Sequence, residues 1–383
     1  MKNKLKVLEL FAGIGACSKA LERLKIDHEI VDAVEIDKFA IKSFNAIHGT
    51  DFEPQDITKW DKDIECDLIM HGSPCQDFSV AGKQAGGDKN SGTRSSLMYE
   101  TIRIVEKLKP KYVIWENVKN ILSEKHRPNF ENYCRKMKEL GYKNFAQVLN
   151  AKDYGIPQNR ERVFTISILR TTEDKDPTFS FPKIKELASK LRDFLETDVD
   201  EKYYITDAVS LTHGALFDKI NGGKIGKMHD ISRRAYHIDG IAPTIHTAGG
   251  GNTEPKIVAS RGRGADNKQH LEPRKDGLTN TLTSVQKDNY VIVASTQKHA
   301  SCRTDGVSPT LLAAMGLGGG QTPMHNYNGR IRKLTPKECW RLMGFDDVDF
   351  EKASKVCSNT QLYKQAGNSI VVNVLEAILK ELL

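Results

Sequence analysis

No apolar run in this 383-residue chain approaches the ~20 residues that cross a bilayer, which excludes a helical membrane span. The N-terminal stretch MKNKLKVLELFAGIG carries a few lysines and then a short, mostly apolar run ending in Phe11. It lacks a full hydrophobic region and a small-residue cleavage site, so it reads as the start of a domain rather than as a signal peptide. Cysteine is sparse: there are seven, an odd number without paired spacing. That excludes a disulfide framework and suits a reducing, cytoplasmic setting. A zinc site built on Cys66, His71 and Cys75 is also poor, because the spacing is not Cys-x2-4-Cys and strand alternation points Cys66 elsewhere. A third glycine is missing from the first Gly-x-Gly turn, where Ser18 stands instead, and this disfavours a nicotinamide dinucleotide.

What is present is a globular composition, 39% hydrophobic and 28% charged, enough for one large core and a smaller unit. The formal net charge of +7 is unevenly placed. Between Leu211 and Lys333 there are 17 Lys+Arg against 9 Asp+Glu, so the whole basic excess lies in one internal segment. The same segment holds 17 of the 29 glycines, and a confined basic, Gly-rich region points to a polyanion-facing surface.

The first ~165 residues alternate strand and helix patterns, the signature of an α/β parallel sheet. Strands are predicted at KVLELF, EIVDAVEI, CDLIMHG, KYVIWEN, FAQVLNA and ERVFTISIL, with helical spacing in ACSKALERL, KFAIKSFNAI, SLMYETIRIVEKLK and NFENYCRKMKELG. The alternation stops near Phe179. Helix signals return at RKLTPKECWRLMGF, with Thr335 as N-cap and Pro336 at the first helical position. The expected organisation is a large α/β domain over 1–178, a small β-rich domain over 179–328, and C-terminal helices over 329–383 that rejoin the large domain. The small domain contains a weak threefold repeat, DGIAPTIHTAGGGN, DGLTNTLTSVQKDN and DGVSPTLLAAMGLGGG. Each unit reads as turn, strand and loop.

At the first strand end, LFAGIG opens a helix. Gly13 and Gly15 permit a tight turn, and Glu35 ends the second strand 20 positions after Gly15. An acid there is placed to accept bonds from a ribose. Asp56 would end the next unit, and Phe11 offers a ring face to an adenine. On this segment alone any adenosine-containing cofactor fits. Further on, CDLIMHGSPCQDFSV presents Cys75 after the rigid Pro74, at the end of a strand. A thiol needs a partly exposed, electropositive setting to react as thiolate. Glu116 ends another strand, at the sheet edge where ligands bind. Arg160 and Arg162 stand two apart, so on a strand both face one side, although they would have to reach that edge from the loop side. Cys17, Cys66, Cys134, Cys302, Cys339 and Cys357 read as packing residues.

Taken in order, FAGIG, SPCQDFS, ENV, QNRERVF, RKLTPKECWRLMGF and QAGNS resemble the motifs of the cytosine-C5 DNA methyltransferases of bacterial and phage restriction-modification type. The resemblance covers roughly residues 5–170 and 330–380. It implies a Rossmann-like, S-adenosylmethionine-dependent methyltransferase domain with an inserted, β-rich target recognition domain. It also implies a DNA-binding enzyme that takes duplex DNA as substrate, works as a monomer with no membrane attachment, and has a restriction endonuclease of the same site as a candidate partner. Cys75 would be the nucleophile that adds to cytosine C6, Glu116 would bond or protonate N3, Arg162 would hold O2, and Arg160 would support the site electrostatically. For the cofactor, Phe11 would stack on adenine, Glu35 would bind the ribose and Asp56 the adenine amino group. Gly13, Gly15, Pro74, Leu97 and Asn368 would lie around the methionine end. Ile36 stands where many members carry an aromatic residue.

In the middle segment, GVSPTLLAAMGLGGG resembles the Thr-Leu segment and glycine loop that meet DNA, with Thr310, Leu311, Gly318 and Gly319. Gln297 would fill the hole left by a flipped base. PTIHTAGGGN around Thr244 matches the same pattern about as well, so which repeat meets the bases stays open. Phosphate contacts are expected from a subset of Arg233, Arg234, Arg261, Arg263, Arg274 and Arg303. Two rival readings are an RNA cytosine methyltransferase on the same scaffold and a non-catalytic DNA-binding homologue. The long basic insert disfavours the first, and the presence of Cys75, Glu116 and Arg162 disfavours the second.

Overall fold

The computed structural model describes residues 4–73, 97–203 and 334–383, together with short strands at 223–224, 234–237, 242–243, 256–258, 294–295, 323–324 and 332–333. The chain divides into two compact units, Met1–Leu187 with Trp340–Leu383, and Ala188–Cys339.

The first unit is built on β1 (Leu5–Leu10), β2 (His28–Val34), β3 (Leu68–His71), β4 (Tyr112–Val118), β5 (Tyr142–Asn150) and β6 (Glu161–Leu169). They form one sheet in the order β2-β1-β3-β4-β6-β5. β1 to β4 run parallel to one another, and each is followed in the chain by a helix: α1 (Ala16–Arg23), α2 (Lys38–His48), α3 (Met98–Leu108) and α4 (Arg127–Glu139). The all-parallel expectation fails at β6, which runs antiparallel to both β4 and β5. The reason is the connection: only residues 151–160 separate β5 from β6, too little for a crossover helix. The consequence is functional. β6 begins where β4 ends, with Val118 paired to Arg162, so an arginine expected from the loop side arises at the ligand edge itself.

The sheet is packed on both faces. Leu8, Leu10, Ile69, Val113, Trp115, Tyr133 and Met137 are fully or almost fully buried in the main core. The C-terminal helices α6 (Asp347–Ser354), α7 (Asn359–Asn368) and α8 (Val372–Leu382) belong to the same unit. Charged side chains fasten them to α1. Lys19, 4% exposed, lies 3.0 Å from both Asp346 and Asp349. Arg23 pairs with Glu376 at 2.9 Å and donates to Gly344 O at 2.6 Å. Lys19 removed from water needs such paired carboxylates.

In the second unit, four short strands pair in the order Arg332–Lys333, Lys256–Val258, Arg234–His237, Gly223–Lys224. Ala294–Ser295 pairs antiparallel with Pro323–Met324. Helix α5 (Pro336–Arg341) has the expected cap: Thr335 Oγ1 accepts from Glu338 N at 3.2 Å, and Glu338 Oε2 accepts from Thr335 N at 2.8 Å. Among the described residues no helix is long and apolar enough to cross a membrane, and no cluster of His, Cys, Asp and Glu could hold a metal ion.

Candidate active site

The turn after β1 is conformationally unusual. Phe11 sits at φ 54°, Gly13 at φ 57° and Gly15 at φ 80°. A phenylalanine in the left-handed region is strained, and such strain collects at functional turns. The two glycines are needed for different reasons. At Gly13 a Cβ would meet nothing within 4 Å, so the backbone faces open space that a ligand can enter. At Gly15 a Cβ would run into the rings of His48 and Phe44, so that glycine serves the packing of α1 on α2. Gly15→Ala is therefore expected to cost about 2 kcal/mol of stability from clash and backbone strain together. A variant unfolding at the wild-type denaturant midpoint would contradict this.

Glu35 stands at the end of β2 as anticipated. Its Oε2 accepts from Gly13 N at 3.0 Å and its Oε1 from Asp37 N at 2.8 Å, which ties the turn to the start of α2. Burial raises its carboxyl above the ordinary value. Each oxygen keeps acceptor capacity for a hydroxyl group. Ile36 beside it is 71% exposed, a large apolar side chain left in solvent at this edge. Asp56 caps a helical turn, with Oδ1 accepting from Thr58 N at 3.0 Å and Thr58 Oγ1 at 2.8 Å. Leu97 is the residue before α3 and packs against the main core.

A cleft runs from this turn to the middle of the sheet edge, with an empty volume of ≈ 400 Å³ counting its open mouth. Phe11, Gly13, Glu116 and Asn368 all line it, so four residues singled out from sequence come together. Alternation along β4 distributes the work on its two faces. Trp115 Nε1 and Asn117 Nδ2 donate to Ser73 Oγ at 3.0 and 3.4 Å, holding the chain two residues before Cys75. Glu116, on the opposite face, is 8% exposed and pairs with Arg162 Nε at 3.0 Å. Arg160 is buried, and its Nη2 donates to Ser369 O at 2.7 Å and Gly367 O at 3.2 Å. It thus fixes the carbonyl groups of the two residues on either side of Asn368. Beneath them His71 stacks on Trp115 with ring centroids 5.8 Å apart and meets Tyr133 Oη at 2.9 Å. Burial pushes its imidazole down to about 3, so it is neutral at pH 7.

Sequence reasoning missed Glu9. It lies in β1, only 3% exposed, and lines the floor of the cleft. Its Oε1 accepts from Ser18 N at 3.0 Å and from the Ser18 hydroxyl. This explains why a serine replaces the third glycine: its hydroxyl ties the first turn of α1 to β1. The signal was an acid flanked by Leu8 and Leu10 inside a strand. Burial pushes the Glu9 carboxyl up to about 7. A carboxyl raised in the fold favours folding at pH below about 4.5 and loses that contribution as pH rises through about 7. Buried His48 and His71, pushed down to about 4 and 3, act in the opposite sense at lower pH. The difference between wild type and Glu9→Gln isolates the carboxyl. The variant should gain relative stability between pH 5 and 8, by up to about 3 kcal/mol. Parallel pH curves would show that Glu9 does not titrate there.

Pro74 and Cys75 lie outside the described residues, as do Arg233, Thr244, Gln297, Arg303, Thr310, Leu311, Gly318 and Gly319. The described residues fit an adenosine-bearing methyl donor: the open backbone at Gly13 and the aromatic Phe11 line the cleft, Glu35 is an acidic acceptor bonded to Gly13 N, and Asp56 follows Gln55, which is bonded to Glu35 O.

A family model described as C-5 cytosine-specific DNA methylase matches residues 5–383. The orphan methyltransferase M.SPBetaI of Bacillus phage SPbeta is 32% identical over 456 aligned positions, covering 100% of this chain and 98% of the relative. The type II methyltransferase M2.ScrFI of Lactococcus lactis subsp. cremoris is 33% identical, covering 99% of each. The crystal structure of the S. pombe Dnmt2 methyltransferase superposes with a TM-score of 0.59 at 19% identity, over 98% of this chain and 97% of that one, which shows a shared fold.

Proposed function

The chain belongs to the C-5 cytosine-specific DNA methylase family, and from that premise we propose that it methylates C5 of a flipped-out cytosine in one short duplex sequence. The observation that carries the site reading is the Glu116–Arg162 pair, held at the cleft edge and on the opposite face of β4 from the anchor of Ser73. Cytosine C5 is too poor a nucleophile to take a methyl group unaided. Addition of the Cys75 thiolate to C6 forms a C–S bond and makes C5 enamine-like. Glu116, having taken up a proton from solvent as the base enters, bonds or protonates N3 as electron density moves into the ring, and Arg162 holds O2. S-adenosylmethionine, when bound, supplies an electrophilic sulfonium methyl group for C5. Loss of the C5 proton to a base then expels Cys75 as thiolate, and the N3 proton returns to Glu116. Phe11, Glu35, Asp56, Gly13 and Asn368 would hold the donor. Flipping the base costs a few kcal/mol of unstacking, roughly.

The segment 179–328 is proposed as the target recognition domain, with its basic excess meeting phosphates. The enzyme is read as a monomer. A restriction endonuclease of the same site is not needed for this chemistry, and M.SPBetaI is itself named an orphan. The test is incubation with methyl-labelled S-adenosylmethionine and either duplex DNA or structured RNA, followed by nucleoside analysis. Label in 5-methylcytosine of DNA is expected. Label confined to RNA would overturn the substrate assignment, and label in neither would overturn the activity.

A further inference from the structure

Asp32 lies in β2 and is 1% exposed, yet it is not at the cleft. Its Oδ1 accepts from Gln55 Nε2 at 2.8 Å and Ala33 N at 3.0 Å. Its Oδ2 accepts from Trp60 Nε1 at 2.7 Å and pairs with Lys62 Nζ at 2.8 Å. Three of these four donors come from one short segment, residues 55–62, which carries Asp56. The segment is gripped from other sides as well. Arg103 of α3 donates through Nη2 to Ile57 O at 3.0 Å and Trp60 O at 2.9 Å. Gln55 N donates to Glu35 O at 2.8 Å, and Gln55 Nε2 also reaches Ala33 O at 3.1 Å.

A buried carboxylate with four donors is a weak device for stability alone, because an apolar residue of similar size often serves as well. What it does here is geometric. Gln55 is bonded by its backbone to Glu35 and by its side chain to Asp32, so Glu35 and the neighbouring Asp56 are set in one frame. The two bonds from Thr58 to Asp56 both fall on Oδ1, which leaves Oδ2 as an acceptor. An acceptor that cannot move distinguishes a 6-amino purine, which donates a hydrogen bond, from a 6-oxo purine, which presents a second acceptor. An acceptor on a loose loop can swing away and loses the distinction.

We propose that Asp32 is a positioning residue that fixes the Asp56 segment against Glu35 and thereby sets the selectivity of the cofactor site for a 6-amino over a 6-oxo purine nucleoside. This rests on the reading of Asp56 as the acceptor of the adenine amino group.

The test uses the full chain and two probes, S-adenosylhomocysteine and S-inosylhomocysteine, with affinities measured by calorimetry. Wild type should prefer the adenosyl compound by about tenfold or more. Asp56→Ala should bring the ratio close to one. Asp32→Asn offers a single oxygen and places an amide against donors, so it should lower the ratio at least about threefold. It should also raise KM for S-adenosylmethionine with little change in kcat. Trp60→Phe keeps an aromatic side chain, though a smaller one, and removes the indole donor to Asp32, so it should lower the ratio in the same direction; it carries the test if Asp32→Asn does not fold. If the Asp32 or Trp60 variant weakens both probes equally, the positioning role is overturned while the Asp56 reading stands. If Asp56→Ala leaves the ratio intact, the Asp56 reading itself falls, and the proposal with it.

Discussion

Cys75→Ser is expected to reduce methyl transfer by at least about 1,000-fold while leaving DNA and S-adenosylmethionine binding within a few-fold of wild type. An alkoxide is not accessible at neutral pH, whereas a thiol is a few per cent ionised even without help. A serine hydroxyl therefore adds to C6 far more slowly, although it occupies nearly the same space. The loss should fall on kcat, because the missing bond exists only along the reaction path. Binding of DNA rests on other residues and should survive, which gel-shift and calorimetric titrations would check. Transfer within tenfold of wild type would remove Cys75 from the mechanism.

The Glu116–Arg162 pair gives the second large effect. Glu116→Gln cannot deliver a proton to N3, and Arg162→Ala removes the cation proposed for O2. Each is expected to lower kcat by about 100-fold to 10,000-fold. Because the two side chains are in contact at 3.0 Å, they should act as a unit. The double variant should then be little worse than either single one. Multiplicative losses would show two independent roles. Arg162→Ala also leaves a buried carboxylate without its cation, at a cost of about 3 kcal/mol. Activity must therefore be compared below the melting range of the variant.

The strands and helices of the first unit are written in local patterns that survive tertiary context. The run ERVFTISIL is strand β6 over the predicted nine residues, and Thr335 and Pro336 cap α5 as their side-chain chemistry requires. The direction of β6 was not legible, because it depends on a short connection between β5 and β6 rather than on any property of the strand. That one inversion brings Arg162 beside Glu116. For Arg160, expected to support the site electrostatically, the sequence did not show its bonds to Gly367 O and Ser369 O on either side of Asn368, some 200 positions away in the chain. Glu9 and Asp32 were also passed over. Each is an acid between apolar neighbours in a strand, but their partners lie on other elements: Ser18 on α1, and Gln55, Trp60 and Lys62 on a loop. Motif order, by contrast, needs no geometry, which is why Phe11, Gly13, Glu116 and Asn368 were found before the cleft that unites them.

The most direct test of the central claim is bisulfite sequencing of genomic DNA from a methylation-free bacterial host that expresses this chain. Protected cytosines confined to a short fixed context are predicted, and they should disappear when Cys75→Ser is expressed instead. Genomic DNA with no protected cytosine, from cells containing folded wild-type protein, would contradict the account.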